Sequence, residues 1–507
     1  MSTSNFILAL GYSLPLALIT LLHGDDFLDV ANLKNYSNQV IPTYITKDNS
    51  PEHNSITNEG STLGRVLFYD KRLSADNTIS CASCHQQEHA FSDLAVLSEG
   101  INGNLTPRHS MRLVNARFGD EVKFRWDETA ESLEEQMIIP IKAEKEMGYS
   151  GENGNPGMSD LIAELAATSF YPPLFNLAFG DPTVTEERMG LALAQFVRSI
   201  QSFDSKYDAG RAQVSDDLTD FPNFTNDENA GKRLFIEDFQ WEEATHTVAD
   251  VPGDPGGTFN VAMRVSGGFN CATCHQPPEF SIDPGSLNNA FVRPPSNFPG
   301  DPSWLVGTRS PTLRDLIKAD WEAEGDNGEA LNGGMFHSGQ ALFLKDIFGH
   351  YEFRRLDEDD NTNLDPRLMR VSPTTGENMA QLLNSTARER RQISAFLSTL
   401  TGSNVYTDEK WSDPFDEAGN LTLSNELAIN AIDYQRESDQ LTIDWRSLPG
   451  ASYTLWSSPD LSEGSWSIVQ EGIPASTDNF RTPFGPFAAP SPLRSFFRVS
   501  DDSSSPD

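Results

Sequence analysis

All four cysteines of this chain fall in two short motifs, Cys81-Ala-Ser-Cys84-His85 and Cys271-Ala-Thr-Cys274-His275, 190 residues apart. Two sulfurs one helical turn apart, followed at once by an imidazole, suit a c-type haem. Cysteine sulfurs form thioethers with its vinyl groups and the histidine binds its iron. A dithiol redox pair and a zinc site are the alternatives for this spacing. Duplication of the motif, with every cysteine used, favours two covalently bound haem c groups. No cysteine remains for a disulfide framework, and thioether attachment requires reduced thiols and assembly outside the cytoplasm.

The N-terminus agrees with that compartment. The apolar run Phe6–Leu22 precedes the first charged residue, Asp25, so residues 1–24 are expected to be an export signal and the body periplasmic. No Lys or Arg precedes the run, and no small-x-small cleavage site follows it. An uncleaved membrane anchor is the alternative, although Gly11 and Pro15 interrupt the run and it falls short of the ~20 apolar residues of a span. The 37 Lys and Arg against 74 Asp and Glu leave a net charge of −37, which excludes a nucleic-acid partner.

Periodicity divides the chain. Residues 25–55 are polar and read as a linker. A first unit, 56–206, ends in a helix with Thr183 and Glu186 as capping pair and Met189, Leu193, Phe196 and Ile200 on one face. A second unit, 207–403, ends in the same way, with Thr386 and Glu389 capping, Ile393, Phe396, Leu397 and Leu400 on one face, and Gly402 as the stop. Residues 404–424 read as another linker. Residues 425–500 alternate as short strands, with Leu441, Ile443 and Trp445, then Tyr453 and Leu455, then Trp466 and Ile468, and finally Phe496, Phe497 and Val499. Pro449-Gly450 and Pro459-Asp460 mark turns between them. The expected fold is mainly α, with two cytochrome c-like haem domains in tandem, then a small C-terminal all-β sandwich module and an acidic tail, 501–507. The aromatic residues of the module are read as its core; a binding face for an unknown partner is the alternative.

Beyond the two C-x-x-C-H motifs, Leu63-Gly-Arg-Val-Leu-Phe-Tyr-Asp-Lys-Arg-Leu-Ser74, Ile79-Ser80, Trp126-Asp127, Leu133-Glu-Glu-Gln136 and Glu146-Met-Gly148 follow in order. Phe203-Asp-Ser-Lys-Tyr-Asp208, Ser310-Pro-Thr-Leu-Arg-Asp315, Phe336-His337-Ser-Gly339 and Ala395–Gly402 continue the series. From about 60 to 402 the chain resembles the bacterial di-haem cytochrome c peroxidase and MauG superfamily. The resemblance implies a peroxidatic haem with His85 as proximal ligand, Glu146 as distal acid/base, Gln136 orienting it or the peroxide, and Trp126 between the haems. A surface Glu146 and a core Trp126 are the plainer readings. It also implies an electron-transfer haem on His275. The position of its sixth ligand is occupied by Tyr351, as in MauG-type enzymes, where the peroxidases have Met. Leu344, Ile347, Phe348 and Tyr351 share a helical face, with His350 turned about a quarter-turn away. A merely packed Tyr351 is the alternative.

Two departures matter. Ile101 stands where the reductively activated peroxidases carry a capping His, and isoleucine cannot ligate iron. The family's Arg-Asn pair, whose Asn helps hold a calcium ion, appears as Arg108-His109, which puts calcium in doubt. His109 and His89 are rival iron ligands, with a solvated or hydrogen-bonding role as the alternative. His337 belongs to the motif without an assigned role. The reading is an exported peroxidase reducing hydrogen peroxide with electrons from a small cytochrome c or copper protein (cupredoxin). MauG-type oxidation of Trp or Tyr in a partner protein, and a non-enzymatic electron-transfer protein, are its rivals.

Overall fold

Two helix crossings organise a computed structural model of the chain, which describes residues 28–121, 123–248, 257–281, 287, 289, 311–317, 330–352, 365–425, 427–435, 437–459, 461–462, 464–488 and 496–501. The apolar N-terminal run and the tail beyond Asp501 lie outside the described residues. The helix Asn58–Tyr69 starts at Thr57, whose hydroxyl accepts from the Gly60 amide. It crosses the helix Glu186–Ser199 at Gly64, where a Cβ would overlap the Ala192 carbonyl. In the second unit the helix Asn226–Ile236 crosses Ala387–Ser398 at Gly231, where a Cβ would overlap the Gln392 carbonyl. Each glycine is followed four residues later by a phenylalanine packed on the closing helix. The ring centroids are 5.1 Å apart for Phe68–Phe196 and 5.3 Å for Phe235–Phe396. The two C-x-x-C-H units are therefore built on one plan.

Met189, Leu193, Phe196 and Ile200 of the first closing helix are fully buried. Its cap is Thr185, not Thr183: the Thr185 hydroxyl accepts from the Arg188 amide, while the Thr183 carbonyl accepts from the Arg188 guanidinium. The helix begins at Glu186, which leaves Thr183 two residues too far out. The second closing helix has both capping-box bonds between Thr386 and Glu389.

Mainly α describes the first unit; the second also carries a four-stranded sheet. Its hairpin strands Phe239–Val248 and Gly257–Gly267 are joined by Asn378–Leu382, parallel to the second strand, and then Met369–Val371. Val261, Ala262 and Arg264 are buried and Met263 partly so, while the strand's end at 265–267 faces solvent. The intervening Pro- and Gly-rich stretch makes the region read as loop.

The two supposed linkers are packed straps. Leu28–Asp29 pairs in parallel with Leu423–Ser424, tying one strap to the other. Tyr36 is buried and donates to the Lys410 carbonyl, and Tyr44 donates to Asp208 of the second unit over 2.8 Å. Trp411 is buried in the first unit's core, its carbonyl accepting from the Tyr69 hydroxyl over 2.6 Å and its Nε1 donating to Ser199 Oγ. Polar composition conceals these straps because their hydrogen-bonding groups are used on other segments, with a few aromatic anchors burying the apolar surface.

The C-terminal module is a sandwich of two three-stranded sheets. One orders Arg481–Ala488, Gln440–Arg446 and Ile429–Gln435; the other orders Ser467–Pro474, Ser452–Ser458 and Phe496–Asp501. Leu441, Ile443 and Trp445 meet Tyr453, Leu455 and Val499 in the core. Ile468 departs from the core reading: it pairs with Trp456 on the outer face and is exposed, as is Phe496. Trp456 and Trp466 both approach the Arg498 guanidinium, at 5.4 and 5.0 Å. Among the described residues no helix is long and apolar enough to cross a membrane.

Candidate functional site: two adjoining cysteine–histidine cavities

Each C-x-x-C-H motif opens on its own cavity through the same local fold. In the first, Phe91 adopts a left-handed backbone (φ +57°), its amide donates to Gln86, and the Gln86 amide donates to Ser92. In the second, Phe280 (φ +61°) donates to Gln276 and Gln276 to Ser281. The turn brings the phenylalanine carbonyl to the histidine: His85 Nδ1 donates to Phe91 over 3.2 Å, and His275 bonds the Phe280 backbone. With Nδ1 so committed, Nε2 carries the lone pair toward the cavity. Burial lowers the pKa of His85 and takes that of His275 down to about 4, so both imidazoles are neutral, as a metal ligand must be. This duplicated C-H-Q…F-S signal was present in the sequence but unread.

The cavities are apolar around these groups, and burial pushes the thiols of Cys81 and Cys271 up to about 12. A reactive dithiol needs the opposite shift. The two cysteine pairs lie in different cavities, so they do not form one four-cysteine zinc site, and among the described residues no group of three or more His, Cys, Asp or Glu is arranged for a metal ion.

Gln136 and Glu146 share the first cavity with Cys84 and His85. The helix Leu133–Lys142, capped by Ser132, sends Leu133 into the core, Glu134 to Arg198 and Gln136 to the cavity. Gln136 Oε1 is buried without a hydrogen-bond partner, an acceptor held ready for a group in the cavity. Glu146 sits on the following turn, where its carbonyl accepts from the Ile101 amide over 2.9 Å. Burial raises its carboxyl pKa, opposed by the Arg125 charge. Glu146 and Arg125 also line an open groove beside the cavity, so the carboxyl stands between interior and solvent.

The capping position is closed to iron. Ile101 is buried with its Cδ1 against Gly148 and does not line the cavity. His89 lines neither cavity. His109 lines both, but its Nδ1 donates to the carbonyls of Ala95 (3.0 Å) and Val96 (3.2 Å), and burial takes its pKa down to about 4. Its Nε2, left with the lone pair, stands 3.5 Å from the Ser92 hydroxyl, so the ring is held in the partition through both nitrogens.

Trp126 is buried in that partition, lining both cavities, and its indole donates to the His109 carbonyl over 2.7 Å. The His109 amide in turn donates to the His337 carbonyl over 2.9 Å, which gives His337 a place at the unit boundary on the second cavity. The helix Leu344–Glu352 presents Leu344, Ile347, Phe348 and Tyr351 to the second cavity with Cys274 and His275. His350 is outside it, with Nε2 donating to the Asn289 carbonyl over 2.9 Å.

Several motif residues are structural. Arg314 is fully buried and bonds both oxygens of Asp208 at 2.8 Å, linking Ser310–Asp315 to Phe203–Asp208. Glu134 accepts from Arg198 and Asn54, a pairing that spacing alone does not show.

Residues 58–215 match a family model described as di-haem cytochrome c peroxidase. The methylamine utilization protein MauG of Methylorubrum extorquens is 27% identical over 361 residues, covering 69% of this chain and 80% of that protein. The MauG of Methylophilus methylotrophus is 25% identical over 303 residues, covering 60% and 75%. A cytochrome c551 peroxidase of Nitrosomonas europaea is 34% identical over 148 residues, covering 29% and 41%.

Proposed function

We propose, from the premise that this chain belongs to the bacterial di-haem cytochrome c peroxidase and MauG superfamily, that it is an exported periplasmic enzyme reducing hydrogen peroxide to water with electrons from a small cytochrome c or copper protein. Cys81 and Cys84, and Cys271 and Cys274, would hold two haem c groups through thioethers, with His85 binding the first iron and His275 and Tyr351 the second. When bound, the haems would supply one-electron redox chemistry, with the one held by His85 reacting with peroxide.

The protein's own part is positioning and proton transfer. Glu146 accepts the proton of one peroxide oxygen and returns it to the other as the O–O bond breaks. Gln136 orients the peroxide or the carboxyl through its free amide oxygen. Trp126 offers an aromatic step between the two cavities. Two electrons and two further protons convert one peroxide to two waters.

The observation that carries this reading is the placement of Glu146, which shares the His85 cavity and also lines the groove to solvent. Tyr351 and Ile101 favour a second reading, MauG-type withdrawal of electrons from a Trp or Tyr of a partner protein.

The test is peroxide-driven oxidation of a reduced small cytochrome c by purified holoprotein. Two cytochromes oxidised per peroxide support the peroxidase reading. Peroxide oxidation of the enzyme without donor turnover rejects it in favour of the second. A pyridine haemochrome assay should count two haems, and one after Cys81→Ala with Cys84→Ala.

A further inference from the structure

Arg112 lies where the two cavities adjoin and lines both of them. It is only 5% exposed. One guanidinium nitrogen, Nη2, donates across the unit boundary to the Asn332 carbonyl, while the Nε–H is buried with no hydrogen-bond partner. The nearby carboxylate does not neutralise it through a contact: Asp315 Oδ1 instead accepts from the Gly402 amide (2.9 Å) and the Tyr406 hydroxyl (3.1 Å). Arginine cannot give up its proton, and a buried charge with an unused donor is costly unless something pairs with it. A fixed cation with a spare N–H thus sits between two cavities, each fitted for a haem, and every haem brings two propionate carboxylates.

We infer that Arg112 is a shared haem anchor, its guanidinium pairing with propionate carboxylates at the boundary and coupling the two haem sites electrostatically. The inference rests on the two-haem reading above. It also accounts for a misfit. The family's calcium site would fall at His109, and calcium takes oxygen donors. Here the His109 ring donates to two carbonyls and Arg112 occupies a third, so the residues present do not fit a hard dication. The positive charge at this boundary is built into the chain.

A positive charge near both irons favours their reduced states. Spectroelectrochemical titration of the holoenzyme therefore supplies the test. In Arg112→Met, with two haems verified by pyridine haemochrome, both midpoint potentials should move negative, and in Arg112→Lys by a smaller amount. Wild-type holoenzyme should carry no stoichiometric calcium, and EGTA should leave its spectrum and potentials unchanged. Unchanged potentials in Arg112→Met overturn the inference. So does one calcium per chain whose removal shifts the spectrum, a result that needs no variant. If Arg112→Met does not accumulate, Arg112→Lys decides by the same sign. Fewer than two haems in the wild type would instead overturn the underlying reading.

Discussion

The ring of Trp126, from the first unit, stands edge-on to that of His337 in the second, with centroids 6.4 Å apart and planes at 66°. The His109 backbone joins the same pair, accepting from the indole and donating to the His337 carbonyl. The boundary between the cavities is thus an aromatic bridge held by main-chain bonds. Trp126→Leu should slow donor-linked turnover, read as cytochrome oxidation. The single-turnover reaction of peroxide with the His85 haem should persist at near wild-type rate. Equal loss of both would make Trp126 a packing residue.

Glu146→Gln keeps size and hydrogen bonding but cannot shuttle a proton. Peroxide turnover should fall about 10²–10⁴-fold with both haems and the resting spectrum retained. Because burial raises the carboxyl pKa, and the base must be ionised to accept a proton, wild-type kcat/KM should drop on acidification above the usual carboxylate range. Glu146→Gln should lose that limb. Full activity in the variant would transfer the role to another group.

Ile101 faces Gly148, His89 lies away from the cavity, and the His109 ring is held by the Ala95 and Val96 carbonyls at Nδ1 and by the Ser92 hydroxyl at Nε2. The iron on His85 should therefore be high-spin and five-coordinate in the oxidised enzyme, and activity should need no prior reduction. Electron paramagnetic resonance showing only low-spin iron at rest would contradict this.

Tyr351→Phe should turn the second iron high-spin, because His350, held by the Asn289 carbonyl, is not placed to replace the phenolate. Phenolate favours ferric iron, so the wild-type potential of this haem should lie below that of a His/Met haem. An unchanged low-spin spectrum in the variant removes Tyr351 from the iron.

Arg198 and Glu134 form a largely buried pair beside the open groove, with side chains 2% and 14% exposed. Arg198→Met strands the carboxylate and should cost roughly 3–5 kcal/mol in denaturant unfolding, with recovery in the double variant carrying Glu134→Met. Burial alone would raise the Glu134 pKa; the bonds from Arg198 and Asn54 outweigh it and leave it below 4.5. The ionised form is thus favoured by folding. Its stabilisation is present above that ordinary value and is lost as pH falls through the lower folded one. Glu134→Gln should flatten this acid slope.

What could be read beforehand was whatever repeats locally. The C-x-x-C-H pairs, the closing-helix faces and the placement of Tyr351 against His350 depend on neighbours within two or three turns, and periodicity shows them. Glu134, Arg112 and the straps depend on partners far along the chain. Asn54 lies 80 residues from Glu134 and Asn332 lies 220 from Arg112, separations at which a polar residue looks like any other. The sheet of the second unit was hidden because its pairing strands, 257–267 and 378–382, are separated by more than a hundred residues.

The burial of Trp411 in the first unit's core has a consequence for biogenesis. That core is sealed by a side chain that follows the whole second unit in the chain, so an emerging polypeptide cannot close its first half until its first 411 residues are available. Such long-range closure is slow compared with the formation of local helices. Until then Cys81 and Cys84 lie in an unsealed half, and on the function proposed above this leaves them accessible for haem attachment. Truncation before residue 411 should therefore yield an open, unstable half rather than a smaller working one.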